Sequence, residues 1–234
     1  MLPMTADLTA LRQEVALANR VLERTGLSNA FGHASARIPG TDTFLLPTRR
    51  SPGLADPATL LVVDFDGNVV AGDGAPNSEL WIHARLYAAR PDVGGVVHAH
   101  PESCVCLIGI GEPHRVVHNQ GAPFYGRVAH YDDIGLIRTR ALGDRVTETF
   151  ARGAIATMMR GHGITTACAD VRTATIAAVF LEESASLQLR MLAAAGGDGG
   201  RIRAYTQDEA RILDDQLGPA IVGRAWDYYT SLLT

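Results

Sequence analysis

The chain has 234 residues, 47% hydrophobic and 20% charged, with a formal net charge of −4 and a pI near 6.0. That length and apolar fraction suit one large domain with a real core and exclude disorder, while the acidic balance excludes the basic stripe of a nucleic-acid binder. All 21 basic residues are arginine, which excludes Schiff-base lysine chemistry, pyridoxal-phosphate catalysis and a P-loop.

The elements are expected in this order. Over residues 5–25, Leu8, Leu11, Val15, Ala18 and Leu22 recur at helical spacing, and Gly26 offers a stop. Strands follow at 33–38 and 43–46 around Pro39-Gly40, then at 60–64 and 68–71 around Asp66-Gly67, a hairpin signal. Residues 78–90 read as a helix and 93–100 as a buried strand, after which Pro101 opens another helix. A helix is expected over 136–151, short strands over 154–159 and 164–167, and a long amphipathic helix over 169–195. Residues 206–232 supply one or two more helices, with the glycine-rich 196–200 as a connection. Strands arrive in hairpins rather than alternating strictly with helices. The pattern therefore predicts an α/β protein, a three-layer α/β/α sandwich around a mainly antiparallel or mixed sheet, with residues 1–234 as a single domain.

Cys104, Cys106 and Cys168 are too few and too oddly spaced for a disulfide framework, and are expected as small buried hydrophobes in a reducing compartment. The opening residues MLPMTADLTALRQE show no charged leader with an apolar run behind it. Nothing reaches the roughly 18 apolar residues of a membrane span, so a cytoplasmic protein with no membrane partner is expected.

The sharpest local feature is Val96-Val97-His98-Ala99-His100. On a strand, alternate side chains share a face, so His98 and His100 point the same way about 7 Å apart and can converge on a cation. The same pair would serve equally as hydrogen-bonded polar residues at a strand end. Pro76-Asn77-Ser78-Glu79 opens a helix and puts Glu79 in its first turn, where the dipole favours a carboxylate, as a cap or as a ligand. Arg160-Gly161-His162-Gly163 sets a histidine between glycines at a strand junction, where the backbone can bend to let the imidazole reach inward. Together, His98, His100, His162 and Glu79 make a first shell for one Zn, Mn, Fe or Co ion per subunit. His83, His114 and His130 are expected at the surface or at an interface rather than as ligands. Trp226, Tyr228 and Tyr229 are expected either in the core or over a neighbour's site.

These landmarks, in this order, resemble the class II aldolase/adducin family from about Leu8 to Ala195. Gly32-His33-Ala34-Ser35-Ala36-Arg37 is similar to its glycine-serine-arginine strand, and Phe44-Leu45-Leu46-Pro47-Thr48 to its substrate turn. Leu61–Asp64 through Gly67 is similar to its central hairpin, and Asn77-Ser78-Glu79, His98, His100 and Gly161-His162-Gly163 follow. The resemblance implies a metal on His98, His100 and His162, with Glu79 as fourth ligand or, when displaced, as general acid/base. It also implies a nine-stranded sandwich assembled as a homotetramer with active sites between subunits.

Departures from the aldolase pattern refine the reading. Where sugar-phosphate aldolases carry small Thr/Ser-Gly residues, this chain has Thr48-Arg49-Arg50-Ser51, and two guanidinium groups suit planar carboxylates. His33 replaces the Gly-Asn of many aldolases. The region of their proton-donating tyrosine reads Val117-His118-Asn119-Gln120, which leaves the product's proton donor open. These features resemble the family's decarboxylases of hydroxylated aromatic diacids. The expectation is therefore a metal-dependent decarboxylase of an ortho-hydroxy aromatic diacid such as 3,4-dihydroxyphthalate, the cation stabilising the carbanion/enolate left by CO2. Glu79 and His33 are the expected catalytic residues, and Thr48, Arg49, Arg50, Ser51 and Ser78 the expected substrate contacts. A class II aldolase of a sugar phosphate or hydroxy acid is the alternative.

Overall fold

The computed structural model describes residues 6–233, so the expected helix start at Thr5 lies outside the described residues. In chain order the elements are α1 (Ala6–Arg24), β1 (His33–Arg37), β2 (Thr43–Leu46), β3 (Leu61–Asp64), β4 (Val69–Ala71), α2 (Leu80–Ala89), β5 (Gly95–Ala99) and α3 (Glu102–Gly109). They continue with β6 (Val128–Tyr131), α4 (Arg140–Thr149), β7 (Ala156–Met159), β8 (Gly163–Cys168), α5 (Val171–Ala194), α6 (Gln207–Arg211) and α7 (Pro219–Ser231). The strands form one eight-stranded mixed sheet, ordered β4-β3-β2-β1-β5-β8-β7-β6. Every neighbouring pair is antiparallel except β6 with β7.

Strand alternation sorts the core into two layers. On one face Ala34, Ala36, Leu45, Val62, Val97, Ala99 and Ile164 pack against Val15, Ala18 and Leu22 of α1 and against Ile176, Ala177 and Leu181 of α5, with α3 and α7 beside them. On the other, Phe44, Leu46, Leu61, Val63, Val96 and Ala167 pack against Ile82, Leu86 and Tyr87 of α2 and Val146 of α4. This is the expected three-layer α/β/α sandwich, with eight strands among the described residues where the resemblance implied nine. Among the described residues, no helix is long and apolar enough to cross a membrane.

Several boundaries differ from expectation for local reasons. The helix expected from residue 136 starts at Arg140, because the Thr139 hydroxyl accepts the Leu142 N–H at 3.3 Å and fixes the N-terminus there. The four-residue β6 had no alternation or turn signal, and it joins the sheet only through its parallel partner β7. Residues 206–232 divide into two helices, the first closed by a Thr206–Glu209 capping box. Cys104 and Cys168 are buried as expected, but Cys106 is exposed. Trp226 packs in the core under Arg172, whereas Tyr228 is exposed.

Candidate active site

The central strands bring the histidines together. In the β1–β5 register His33 lies opposite His98, and in the β5–β8 register His98 lies opposite Thr165. His100 follows the last residue of β5, and its N–H donates to the Leu27 carbonyl at 2.9 Å. His162 sits in the short turn joining β7 to β8, with its N–H on the Met159 carbonyl at 3.1 Å. Gly163 is required for this approach. A Cβ there would stand 2.1 Å from the Ala99 carbonyl oxygen and 2.8 Å from the His100 ring, so only glycine lets β8 begin so close to the β5 end. Gly32, at φ +117°, leaves equally little room: a Cβ would meet Ser28 Oγ at 2.1 Å.

Ligand nitrogens of His98, His100 and His162 all lie within 4.8 Å of one another. Nε2 of His98 is 3.1 Å from Nε2 of His100. The Thr165 hydroxyl donates to the Met159 sulfur and accepts from Nδ1 of His98 at 3.3 Å, which leaves Nε2 of His98 bare. Glu79, the residue preceding α2, places Oε1 3.4 Å from Nε2 of His162 and Oε2 3.9 Å from Nε2 of His98. Its carboxylate accepts the Ile137 N–H at 2.8 Å, while the Asn77 side chain accepts the Glu79 N–H at 3.0 Å. Glu79 is therefore anchored from both sides rather than swinging freely.

The electrostatics suit a cation. Burial, reinforced by the surrounding imidazoles, pushes the His98 pKa well down, and burial followed by His162 lowers that of His100. Burial alone would raise the Glu79 carboxyl, but His162, the Ile137 amide and His33 outweigh it and bring the pKa to about 2. His98 and His100 are thus held toward the neutral imidazole, the form that binds a cation, beside an ionised carboxylate. Nδ1 of His162 is buried without a hydrogen-bond partner, and its buried Nε2 has only the Glu79 carboxylate, at 3.4 Å and outside hydrogen-bond geometry, which is costly unless something else satisfies them. Nε2 of His98 and Nε2 of His100 stand at a spacing, 3.1 Å, that two ligand atoms each about 2.0–2.1 Å from one ion can take. The residues fit a divalent metal on His98, His100 and His162 with Glu79 alongside.

A cavity of about 530 Å³ opens onto this cluster. Its lining brings His33, Glu79, His100 and His162 together with Ser78, Arg49 and Arg138 and with the apolar side chains of Phe31 and Leu136. The expected arginine pair is thus divided. Arg49 lines both this cavity and a second hollow, while Arg50 lines only the second, with Thr48, Thr59 and Asp73. Ser51 lies outside the cavity as well, its hydroxyl 3.5 Å from the Asn29 carbonyl. Arg138 is the second guanidinium the sequence reading missed, because it fell inside a helix expected to begin at Leu136. The signal available was the capping threonine one residue later. Neither Arg49 nor Arg138 has a side-chain hydrogen bond or ion pair among the described residues.

The other histidines divide. His130 is exposed as expected, and His114 is half-buried on Ser184 Oγ at 2.9 Å. His118 caps the turn Asn119–Phe124. His83 is a clear correction: it is fully buried, hydrogen-bonded to His33 and Ser35. It faces the sheet because α2 presents its polar positions 83 and 87 inward, opposite the polar face of β1.

Known proteins share this sequence pattern and this fold. Residues 13–189 match the Class II Aldolase and Adducin N-terminal domain family. The chain is 31% identical over 237 residues to a 3,4-dihydroxyphthalate decarboxylase of Arthrobacter keyseri, spanning 92% of this chain and 90% of that one. It is 25% identical to an L-fuculose phosphate aldolase of Methanococcus maripaludis, over 77% of this chain and 97% of the other. Its fold superposes on an aldolase II superfamily protein from Pseudomonas syringae with a TM-score of 0.84, at 22% identity, covering 98% and 94% of the two chains.

Proposed function

This chain belongs to the class II aldolase and adducin family and is a carbon–carbon lyase, and from that premise we propose that it is a divalent-metal-dependent decarboxylase of an ortho-hydroxy aromatic dicarboxylic acid, with 3,4-dihydroxyphthalate the substrate to test first. The observation that carries this reading is the meeting, on one cavity, of the three-histidine cluster with two unpaired guanidinium groups and an apolar wall. A planar diacid needs those elements: charge partners for its carboxylates and flat apolar surface for its ring.

In this reading His98, His100 and His162 hold the ion, and Glu79 is a fourth ligand or, when displaced, the proton carrier. The bound ion, one of Zn, Mn, Fe or Co, supplies Lewis-acid stabilisation of the negative charge that loss of CO2 leaves on the substrate. Arg49 and Arg138 grip the non-leaving carboxylate and steer the diacid into the cavity, each capable of two parallel N–H···O bonds. Phe31 and Leu136 cover the ring and shield it from water. Ser78 offers a hydroxyl, and His33 faces the substrate. Thr48, Arg50 and Ser51 shape the loop that carries Arg49 rather than touching substrate. The proposal includes a cytoplasmic homo-oligomer, a tetramer with sites between subunits.

The test is product analysis by mass spectrometry on manganese- or zinc-loaded protein given 3,4-dihydroxyphthalate. Loss of the mass of one CO2, abolished by chelator, is the expected outcome. The second reading, supported by the match to the fuculose phosphate aldolase, is a metal-dependent aldolase. It predicts instead reversible cleavage of a sugar phosphate into two carbonyl compounds, and intact aromatic diacid after incubation.

A further inference from the structure

Behind His33 runs a line of four buried polar groups. His33 Nδ1 is 2.5 Å from His83 Nε2, His83 Nδ1 is 2.6 Å from Ser35 Oγ, and Ser35 Oγ is 2.8 Å from the Tyr87 hydroxyl. All four residues are 1% exposed or less. Their alignment follows from two periodicities. His33 and Ser35 are two apart on β1 and share a face, and His83 and Tyr87 are four apart on α2 and share a face. Phe44 seals the line, its ring 6.3 Å from His83 and 5.2 Å from Tyr87. Arg37 closes the far end, donating to the Tyr87 carbonyl with its guanidinium over the Tyr87 ring.

Counting hydrogens gives this line a direction. The Tyr87 hydroxyl has one proton, and among the described residues Ser35 Oγ is the only hydrogen-bond partner placed to accept it. Tyr87 thus donates to Ser35, and Ser35, with one proton of its own, donates to Nδ1 of His83. His83, buried and neutral, carries its single hydrogen on Nε2 and gives it to Nδ1 of His33. His33 is left with its hydrogen on Nε2, the one ring nitrogen of this line with no hydrogen-bond partner among the described residues, on a residue that lines the cavity.

We infer that His33 meets the substrate as a neutral imidazole donating an Nε2–H hydrogen bond to an anionic oxygen, with His83, Ser35 and Tyr87 as positioning residues that fix this tautomer. The inference rests on the proposed decarboxylase reading only in naming that oxygen as one on the substrate diacid. A neutral imidazole N–H is far too weak an acid to surrender its proton, so His33 orients and polarises, and proton transfer falls to Glu79, whose ionised carboxylate takes the proton of the substrate's ortho hydroxyl and returns it to the ring carbon that loses CO2.

The test reads the tautomer directly. Zinc-loaded protein with 15N-labelled histidine is examined by long-range 1H–15N correlation near neutral pH, the His33 and His83 signals being assigned by their loss in His33→Asn and His83→Gln. A protonated Nε2 and a bare Nδ1 on both residues are expected. A hydrogen on His33 Nδ1, or an imidazolium at His33, overturns the inference. This readout stands whether or not any diacid is decarboxylated, so the failure of one reading is distinguishable from failure of the other. Tyr87→Phe removes only the first donor and keeps the ring, and it is expected to give a mixed tautomer pattern at His33. An unchanged pattern means that Tyr87 does not set the direction and overturns the ordering. In turnover, His83→Leu is expected to lower kcat about 10–100-fold with little change in KM, and His83→Gln, whose amide can still donate to His33, to recover most of it. Equal loss in both variants overturns the positioning role.

Discussion

The two faces of β1 and β5 are built from the same ten residues and do opposite work. One face, Ala34, Ala36, Val97 and Ala99, is apolar and packs on α1 and α5. The other carries His33, Ser35 and His98, equally buried, where hydrogen bonds and pKa shifts replace apolar contact. Burial on the first face stabilises, at about 25 cal/mol per Å² of apolar surface removed from water. Burial on the second costs stability unless each polar atom is satisfied, and gives chemistry in return. The lesson is that strand alternation alone can separate a scaffold from a site, one side chain apart.

Substitutions can break this division, the largest effect first. His98→Ala on the polar face is expected to lose bound metal, measured by elemental analysis, and to lower turnover by about 10³-fold or more. Glu79→Gln in the same assay is expected to retain the metal while turnover falls about 10²-fold or more, as for a proton carrier. On the apolar face, Leu45→Ala is expected to cost about 2–5 kcal/mol in urea unfolding, with kcat of the folded enzyme unchanged. Substantial loss of kcat there would show that the faces are not independent.

Acid sharpens the comparison, since only the polar face titrates. Burial lowers the His33 pKa from 6.5 to about 4. Below pH 6.5 the unfolded chain takes up a proton that the folded protein refuses until about pH 4. Stability is therefore complete above pH 6.5 and declines as pH falls, by up to about 3 kcal/mol from this residue. The burial-depressed His83 and His98 act in the same direction. Urea midpoints of chelator-treated protein at pH 7, 6 and 5 should fall more steeply in wild type than in His33→Asn. The smallest effect belongs to the cavity lining: Arg138→Met should raise KM for a diacid about 10–100-fold and for the matching mono-acid much less.

Much of this division was legible in the sequence. The paired His98 and His100, the glycine-flanked His162 and the position of Glu79 depend on local spacing, and the structure places all four within one cluster. Arg138 and His83 were not legible, because their roles depend on tertiary contact. Arg138 is in the cavity because a threonine cap delays a helix by four residues, so residues 136–138 become a loop whose Ile137 amide holds Glu79. His83 looked like a surface histidine because most are. The clue was its four-residue spacing from Tyr87 on a helix whose remaining buried positions, Leu80, Ile82, Ala84 and Leu86, are apolar.

Gly163 has a consequence for how such a molecule can change. The spacing of the histidine triangle is set by backbone lying against backbone, where even one methyl group finds no room. That frame admits no gradual variation; selection can keep it or discard it. Phe31, Leu136 and Arg138 stand on connections outside the regular elements and can be exchanged without moving the frame. A lineage starting here is therefore free to explore new substrates while inheriting one chemistry, as relatives named for decarboxylation and for aldol cleavage illustrate.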